Sequence, residues 1–309
     1  MKKIVIVLAV VVVLVIACSY ILIPGTIKIS SAIPVKTTSK NILSCINDTA
    51  IWQYWWPDSS KQTYNDYHFQ LQEPYSDGAA ITVSNENENL VTKILLIPVN
   101  NDSLLATWET SFPTSSNPFT RINRYMEARS IKKSLDQLLK SIADFSSQTK
   151  NIYGFTIQRT TFRHTVLLAT RSYSTIYPSI DMIYKKIDTI RAYIASQFAK
   201  ESDPPMINVQ PADSNRYEYM IAIPIDKKIK AGPNMFISLM VPMEGRFLET
   251  QVQGGPVTIQ HAHHAVTSFM EDRMLTPPAI PFEMMVTDRR SETDTSKWMT
   301  KIFYPTMWN

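Results

Sequence analysis

Glycine is scarce in this chain, with only 7 residues in 309. That argues against loops whose bare backbone cradles a phosphate, and neither a G-x-G-x-x-G nor a P-loop pattern occurs. No G-x-S-x-G nucleophile elbow occurs either. Cysteine is scarcer still: Cys18 lies in an apolar N-terminal run and Cys45 beyond it. No zinc spacing involves them, and a structural disulfide between them is not expected. Charge of one sign is also missing. The formal net charge is +4, and Lys and Arg are spread along the chain, without the basic footprint of a nucleic-acid binder. No cofactor motif is present. The remainder is ordinary globular composition, 44% hydrophobic and 19% charged, plus one very apolar segment.

That segment follows Lys2 and Lys3 and runs from Ile4 to Ile23, with Ser19 and Tyr20 as its polar members. About 20 residues of helix match a bilayer core of ~30 Å. Lipid enforces helix even on a Val-rich run, because it offers the backbone no other hydrogen-bond partner. The expectation is a single-pass N-terminal transmembrane helix within residues 1–24, with the rest of the chain outside the cytoplasm because the lysines stay inside. Val15-Ile16-Ala17-Cys18 also has the lipobox form of a bacterial lipoprotein signal, with Cys18 as the acylated residue. Plain cleaved secretion is the third reading.

Beyond it, Thr26–Ser30 alternates as a half-buried strand does, and Ser39–Ile46 reads as a short helix. Trp52, Tyr54, Trp55 and Trp56 then form a dense aromatic cluster, either core or the mouth of a cavity. Strands are predicted at Tyr67–Gln72, Ala79–Ser84, Leu90–Val99 and Leu104–Ser111, separated by Pro, Asn and Asp-Gly turns. A long amphipathic helix follows, capped by Asn117 with Pro118 in its first turn. Its apolar stripe is Phe119, Ile122, Met126, Ile131, Leu135, Leu138, Leu139, Ile142 and Phe145. The polar stretch Ser146–Asn151 reads as a linker between two domains, 26–147 and 151–309.

In the second domain one pattern occurs twice. Strand signals within Tyr153–Arg171 precede a helix over Ser179–Ala199, then strands at Met206–Val209 and Tyr217–Ile225. Strands at Met235–Val241 and Arg246–Val252 precede a helix over Pro256–Met274, then strands at 282–288 and 297–304. The fold class expected is therefore α+β, with a duplicated, pseudo-twofold strand-helix-strand-strand arrangement at the C-terminal end.

Two resemblances follow from these residues. The first strand, the Trp52-x-x-Trp55-Trp56-Pro57 segment, Thr107-Trp108-Glu109-Thr110 and the long helix together resemble the START-like (SRPBCC) helix-grip superfamily, which implies a sheet wrapped around a helix over an apolar cavity. Gly254-Gly255-Pro256, the Pro281-Phe282-Glu283 strand and the closing Tyr304-Pro305 resemble the GyrI-like (AraC effector-binding) domains. That resemblance implies a ligand between two halves and a glutamate on the floor of an aromatic pocket.

Glu283 is accordingly the first candidate. A carboxylate inside an apolar strand must be paired, hydrogen-bonded or protonated if buried; the alternative is an edge strand that turns it to solvent. Tyr184, Tyr219, Trp298 and Tyr304 are the aromatics expected around it. Rings around a carboxylate suit a hydrophobic ligand, cationic or planar. No catalytic residue is assigned; Glu283 would be the general base if the domain were a hydrolase acting on strained electrophiles. His261, His263 and His264 tempt a metal reading, but no third ligand lies at a standard spacing, and an exposed helix face with incidental histidines is the plainer account. Asp288–Asp294 reads as a solvated charged turn. The partners expected are a hydrophobic small molecule and a membrane, and no nucleic acid.

Overall fold

The computed structural model describes residues 2–58, 62–86, 88–213, 215–240 and 244–307. The chain divides into two compact units, Met1–Gln148 and Thr149–Asn309.

The first unit opens with helix α1 (Lys2–Leu22), most of whose described apolar side chains are exposed. The side chains of Lys2, Val5 and Ala9 lie outside the described residues. Among the described residues no helix is long and apolar enough to cross a membrane.

Strand β1 (Thr26–Val35), helices α2 (Ser39–Asn47) and α3 (Trp52–Trp55), and strands β2 (Thr63–Tyr64), β3 (Tyr67–Tyr75), β4 (Gly78–Ser84), β5 (Asn89–Asn100) and β6 (Ser103–Pro113) lead to the long helix α4 (Pro118–Ser146). The strands form one antiparallel sheet in the order β1-β6-β5-β4-β3-β2. The Asn117 side chain caps α4 by accepting from the amides of Phe119 and Thr120. Of the predicted stripe, Ile131, Leu135, Leu138, Leu139 and Ile142 are buried, Ile122 and Phe145 are partly buried, and Phe119 and Met126 near the start of the helix are exposed. Of the aromatic cluster, the three tryptophans are core and Tyr54 is exposed. Trp52 and Trp56 stack 5.4 Å apart, and each of the three indole N–H groups reaches a backbone carbonyl.

The second unit begins with a short helix, α5 (Thr149–Tyr153), where the sequence suggests an irregular linker. Then come β7 (Ile157–Thr160), β8 (Val166–Ser174), α6 (Ile180–Ser196), β9 (Met206–Asp213) and β10 (Arg216–Pro224). The same order recurs as β11 (Met235–Leu239), β12 (Phe247–Gln253), α7 (Pro256–Asp272), β13 (Phe282–Met285) and β14 (Met299–Pro305). Of the predicted strand at Met235–Val241, Val241 lies outside the described residues.

The eight strands of this unit lie in a single antiparallel sheet, β11-β8-β10-β9-β13-β14-β12-β7. Its middle is the β9–β13 pair, where Glu283 stands opposite Ile207. Each repeat sends its first strand to the other: β7 pairs with β12 and β11 with β8. The duplication is thus five elements long, with exchanged edge strands, rather than the four elements read from the sequence.

Both helices lie on one face of this sheet. Ile183, Ile187, Ile190 and Ile194 of α6 pack on Leu168, Ile221, Ile223 and Ile207. Ile259, Ala262, Val266 and Phe269 of α7 pack on Leu248, Val252, Ile302 and Tyr304. Alternation sends Phe282, Met284, Phe303, Phe247 and Met206 to the opposite face, around Phe162. Gly254 leads into α7 with φ +150°, and a Cβ there would stand 2.7 Å from the Thr258 hydroxyl, so no larger residue fits.

Ile187 is fully buried between α6 and the sheet. Ile187→Ala is expected to lower the unfolding free energy by about 2–5 kcal/mol in a urea titration. A loss below about 1 kcal/mol would contradict this packing.

Candidate functional site

Helices α6 and α7 cover their own repeats and leave the central seam open between them. Over β9, β13 and β14 this leaves a cleft of about 810 Å³. The first turn of α6 and the residues before it form one wall, from Tyr177 to Ile183. The first two turns of α7 form the other, through Pro256, Ile259, Gln260 and His263. Each helix starts at the cleft because of its cap: the Ser179 hydroxyl accepts from the Met182 amide, and Pro256 fills the first turn of α7.

Glu283 lies on the floor. Its side chain keeps 18% of its exposure, and both oxygens have partners. Oε1 is 3.4 Å from His263 Nε2, and Oε2 is 3.3 Å from an Arg289 terminal nitrogen. His263 Nδ1 is 2.9 Å from the Tyr304 hydroxyl. An ionised carboxylate only accepts, so His263 Nε2–H donates to it; Nδ1 accepts from the Tyr304 O–H when the ring is neutral and donates to the Tyr304 oxygen when both ring nitrogens are protonated. Arg289 also donates to Thr300 Oγ1 at 3.0 Å and lies over the Trp298 ring, 5.0 Å from its centroid. The Trp298 indole N–H donates to the Glu292 carbonyl, which holds the ring in place.

The electrostatics follow from this geometry. Burial works to raise the Glu283 pKa, but the His263 hydrogen bond and the Arg289 charge outweigh it, so the carboxyl titrates below its ordinary value. Burial raises the Tyr304 phenol, a hydrogen bond with Thr267 works against that, and the Glu283 charge adds to the rise. At neutral pH the floor holds one carboxylate, one guanidinium and a protonated phenol.

Of the residues singled out from the sequence, the cleft gathers Glu283, Trp298 and Tyr304. Tyr184 stands behind it: its hydroxyl accepts from the Arg289 backbone amide at 2.7 Å and so braces the turn that delivers Arg289. Tyr219 is a correction. It is 4% exposed, in the core beneath α6, because alternation along β10 turns it under the helix. Two further corrections concern residues read as solvated. His263 points into the cleft, and the Arg289 side chain is 10% exposed beneath it. Among the described residues, no three His, Cys, Asp or Glu side chains gather as a metal would need.

No protein-family model matches the chain, and no curated protein matches it. Solved structures resemble it only weakly. The EcmrR–DNA complex aligns with a TM-score of 0.45 at 12% identity, over 63% of this chain and 74% of that one. SAV2435 bound to tetraphenylphosphonium aligns with 0.34 at 13% identity, over 50% and 93%. A START superfamily protein from Mycobacterium smegmatis aligns with 0.30 at 14% identity, over 39% and 97%. Likeness at this level assigns neither a family nor a ligand, and the case for function rests on the cleft itself.

The depressed Glu283 pKa makes stability depend on pH with a definite sign. The group is more acidic folded than unfolded, so its contribution is present above the unfolded carboxylate pKa and disappears as pH falls through the folded one. Denaturant titrations of the wild type and Glu283→Gln are expected to show a stability gap at neutral pH that closes on acidification. A gap that stays constant across that range would contradict the ionised pairing.

Proposed function

We propose that residues 149–309 form a small-molecule-binding domain. In this reading the cleft between α6 and α7 takes a hydrophobic, planar ligand whose polar edge meets Glu283. The observation that carries the reading is an ionised carboxylate, still partly exposed, at the base of a cleft walled by Tyr177, Ile180, Ile183, Ile259 and Trp298. Few polar groups converging in a mostly apolar cleft of this size is the usual build of a ligand site.

The floor also narrows the ligand. Arg289 already balances the charge of Glu283, so a bare cation gains less there than beside an unpaired carboxylate. The existing contacts of 3.3 and 3.4 Å leave acceptor positions on both oxygens. A ligand with N–H groups on a flat, cationic or neutral ring system can use them and stack on aromatic walls.

A hydrolase reading has the Tyr304–His263–Glu283 relay on its side. The pKa directions favour binding instead: a general base works best with a pKa near the working pH, whereas Glu283 is lowered and the Tyr304 phenol is raised.

We further propose that the chain is attached to a membrane through its apolar N-terminal run, with both units outside the cytoplasm. The support is the Ile4–Ile23 sequence behind Lys2 and Lys3, and the exposed apolar side chains of α1. Acylation at the exposed Cys18 is the alternative mode of attachment.

The test of the binding reading is a titration of the full chain with ethidium, a flat cation bearing amino groups, followed by dye fluorescence. Saturable binding is expected, weakened about tenfold or more in Glu283→Gln, since a hydrogen bond to a charged group is worth about 1.5–3 kcal/mol. No saturable binding, or the same affinity in Glu283→Gln, would overturn it.

A further inference from the structure

The face of the second sheet turned away from α6 and α7 carries its own cavity, of about 450 Å³. Alternation builds its walls: Leu167 and Ala169 of β8, Met206 of β9, Ala222 of β10, Phe247 of β12 and Phe282 of β13 all point to this side. Residues 207, 208 and 282 border both the cavity and the cleft, but Glu283, His263, Arg289 and Tyr304 take no part in it. A pocket this apolar and this large matches the size of small-molecule sites.

Of the four polar residues in the lining, Asn208, Ser238, Arg246 and Thr306, the last two lie next to each other. Arg246 is half-buried and has no carboxylate partner among the described residues. Thr306 is 1% exposed, and its buried hydroxyl has no hydrogen-bond partner among the described residues. The two are joined by the Thr306 amide, which donates to the Arg246 carbonyl at 2.8 Å. An orphan hydroxyl withdrawn from water is costly, and the half-buried guanidinium beside it can answer an anion. Together they form a polar end in a mostly apolar chamber.

We propose that this cavity is a second binding site, for an amphipathic carboxylate with a short alkyl chain. The carboxylate pairs with Arg246 and accepts from the Thr306 hydroxyl, and the chain lies against Met206, Ala222 and Phe282. A guanidinium suits a carboxylate because both are planar and can share two hydrogen bonds. Its polar groups are separate from those of the cleft, and its ligand is an anion.

The experiment is isothermal titration of the full chain, in lipid nanodiscs with empty discs subtracted, using octanoate and octyltrimethylammonium. These probes share a chain and differ in head charge. Octanoate is expected to bind one to one, and octyltrimethylammonium no better than to empty discs. Arg246→Gln is expected to weaken octanoate about tenfold, with Arg246→Lys recovering part of the loss. Ala222→Leu, checked for its fold by circular dichroism, narrows the chamber and weakens octanoate as well. Saturating ethidium is expected to leave octanoate binding unchanged. Equal affinity in Arg246→Gln and wild type, tighter binding of the cation, or displacement of octanoate by ethidium would overturn the proposal. A chain that binds octanoate but no ethidium would retire the cleft reading and leave this one standing.

Discussion

A carboxylate on the helix-covered face of a sheet must be answered by charge and hydrogen bonds, and the answer to Glu283 organises much of the second unit. Isolated burial of that charge would cost several kcal/mol, or force the group to stay protonated. The chain supplies Arg289 from the turn after β13 and His263 from the second turn of α7. Each of these is held in turn. Thr300, Trp298 and the Tyr184 hydroxyl fix Arg289 and its backbone, and Tyr304 fixes the His263 ring. The floor is therefore preorganised before any ligand arrives, which lowers the ordering cost of binding.

Why the site lies where it does is a matter of sheet topology. Each helix packs on the strands of its own repeat, and the two repeats meet edge to edge at β9 and β13. Neither helix covers that seam, so the cleft opens over it. The exchange of β7 and β11 between repeats fastens each half to the other at the outer edges, far along the sheet from the seam. One layer of helices on one face also leaves the opposite face to the Phe162 cluster and its apolar chamber.

Much of this was legible in the sequence, and unevenly so. Helical spacing and caps gave α4, α6 and α7 nearly to their ends, because Asn117, Ser179 and Pro256 are local signals. Glu283, Trp298 and Tyr304 stood out as polar or aromatic residues on apolar strands. Arg289 did not, because nothing in the spacing of Asp288-Arg289-Arg290 says that the turn folds back until Val286 and Thr287 reach the Met299 carbonyl. His263 was hidden among His261 and His264. The signal that could have found it is its place four residues after Ile259 and seven after Pro256, on the stripe that faces the seam. Tyr219 was misplaced because period-two alternation fixes which residues share a face, but not which face a helix will cover. The strand exchange left no trace in hydrophobic pattern, since a strand reads the same whichever neighbour it pairs with.

The central claim is that Glu283 is ionised and charge-paired in the cleft of the free protein. Its direct test is the side-chain carboxyl ¹³C shift of Glu283, assigned by comparison with Glu283→Gln and followed across the acid range. A titration below the ordinary glutamate pKa of about 4.3 is the result this account predicts. A midpoint at or above that value would mean that burial outweighs His263 and Arg289, and would contradict it.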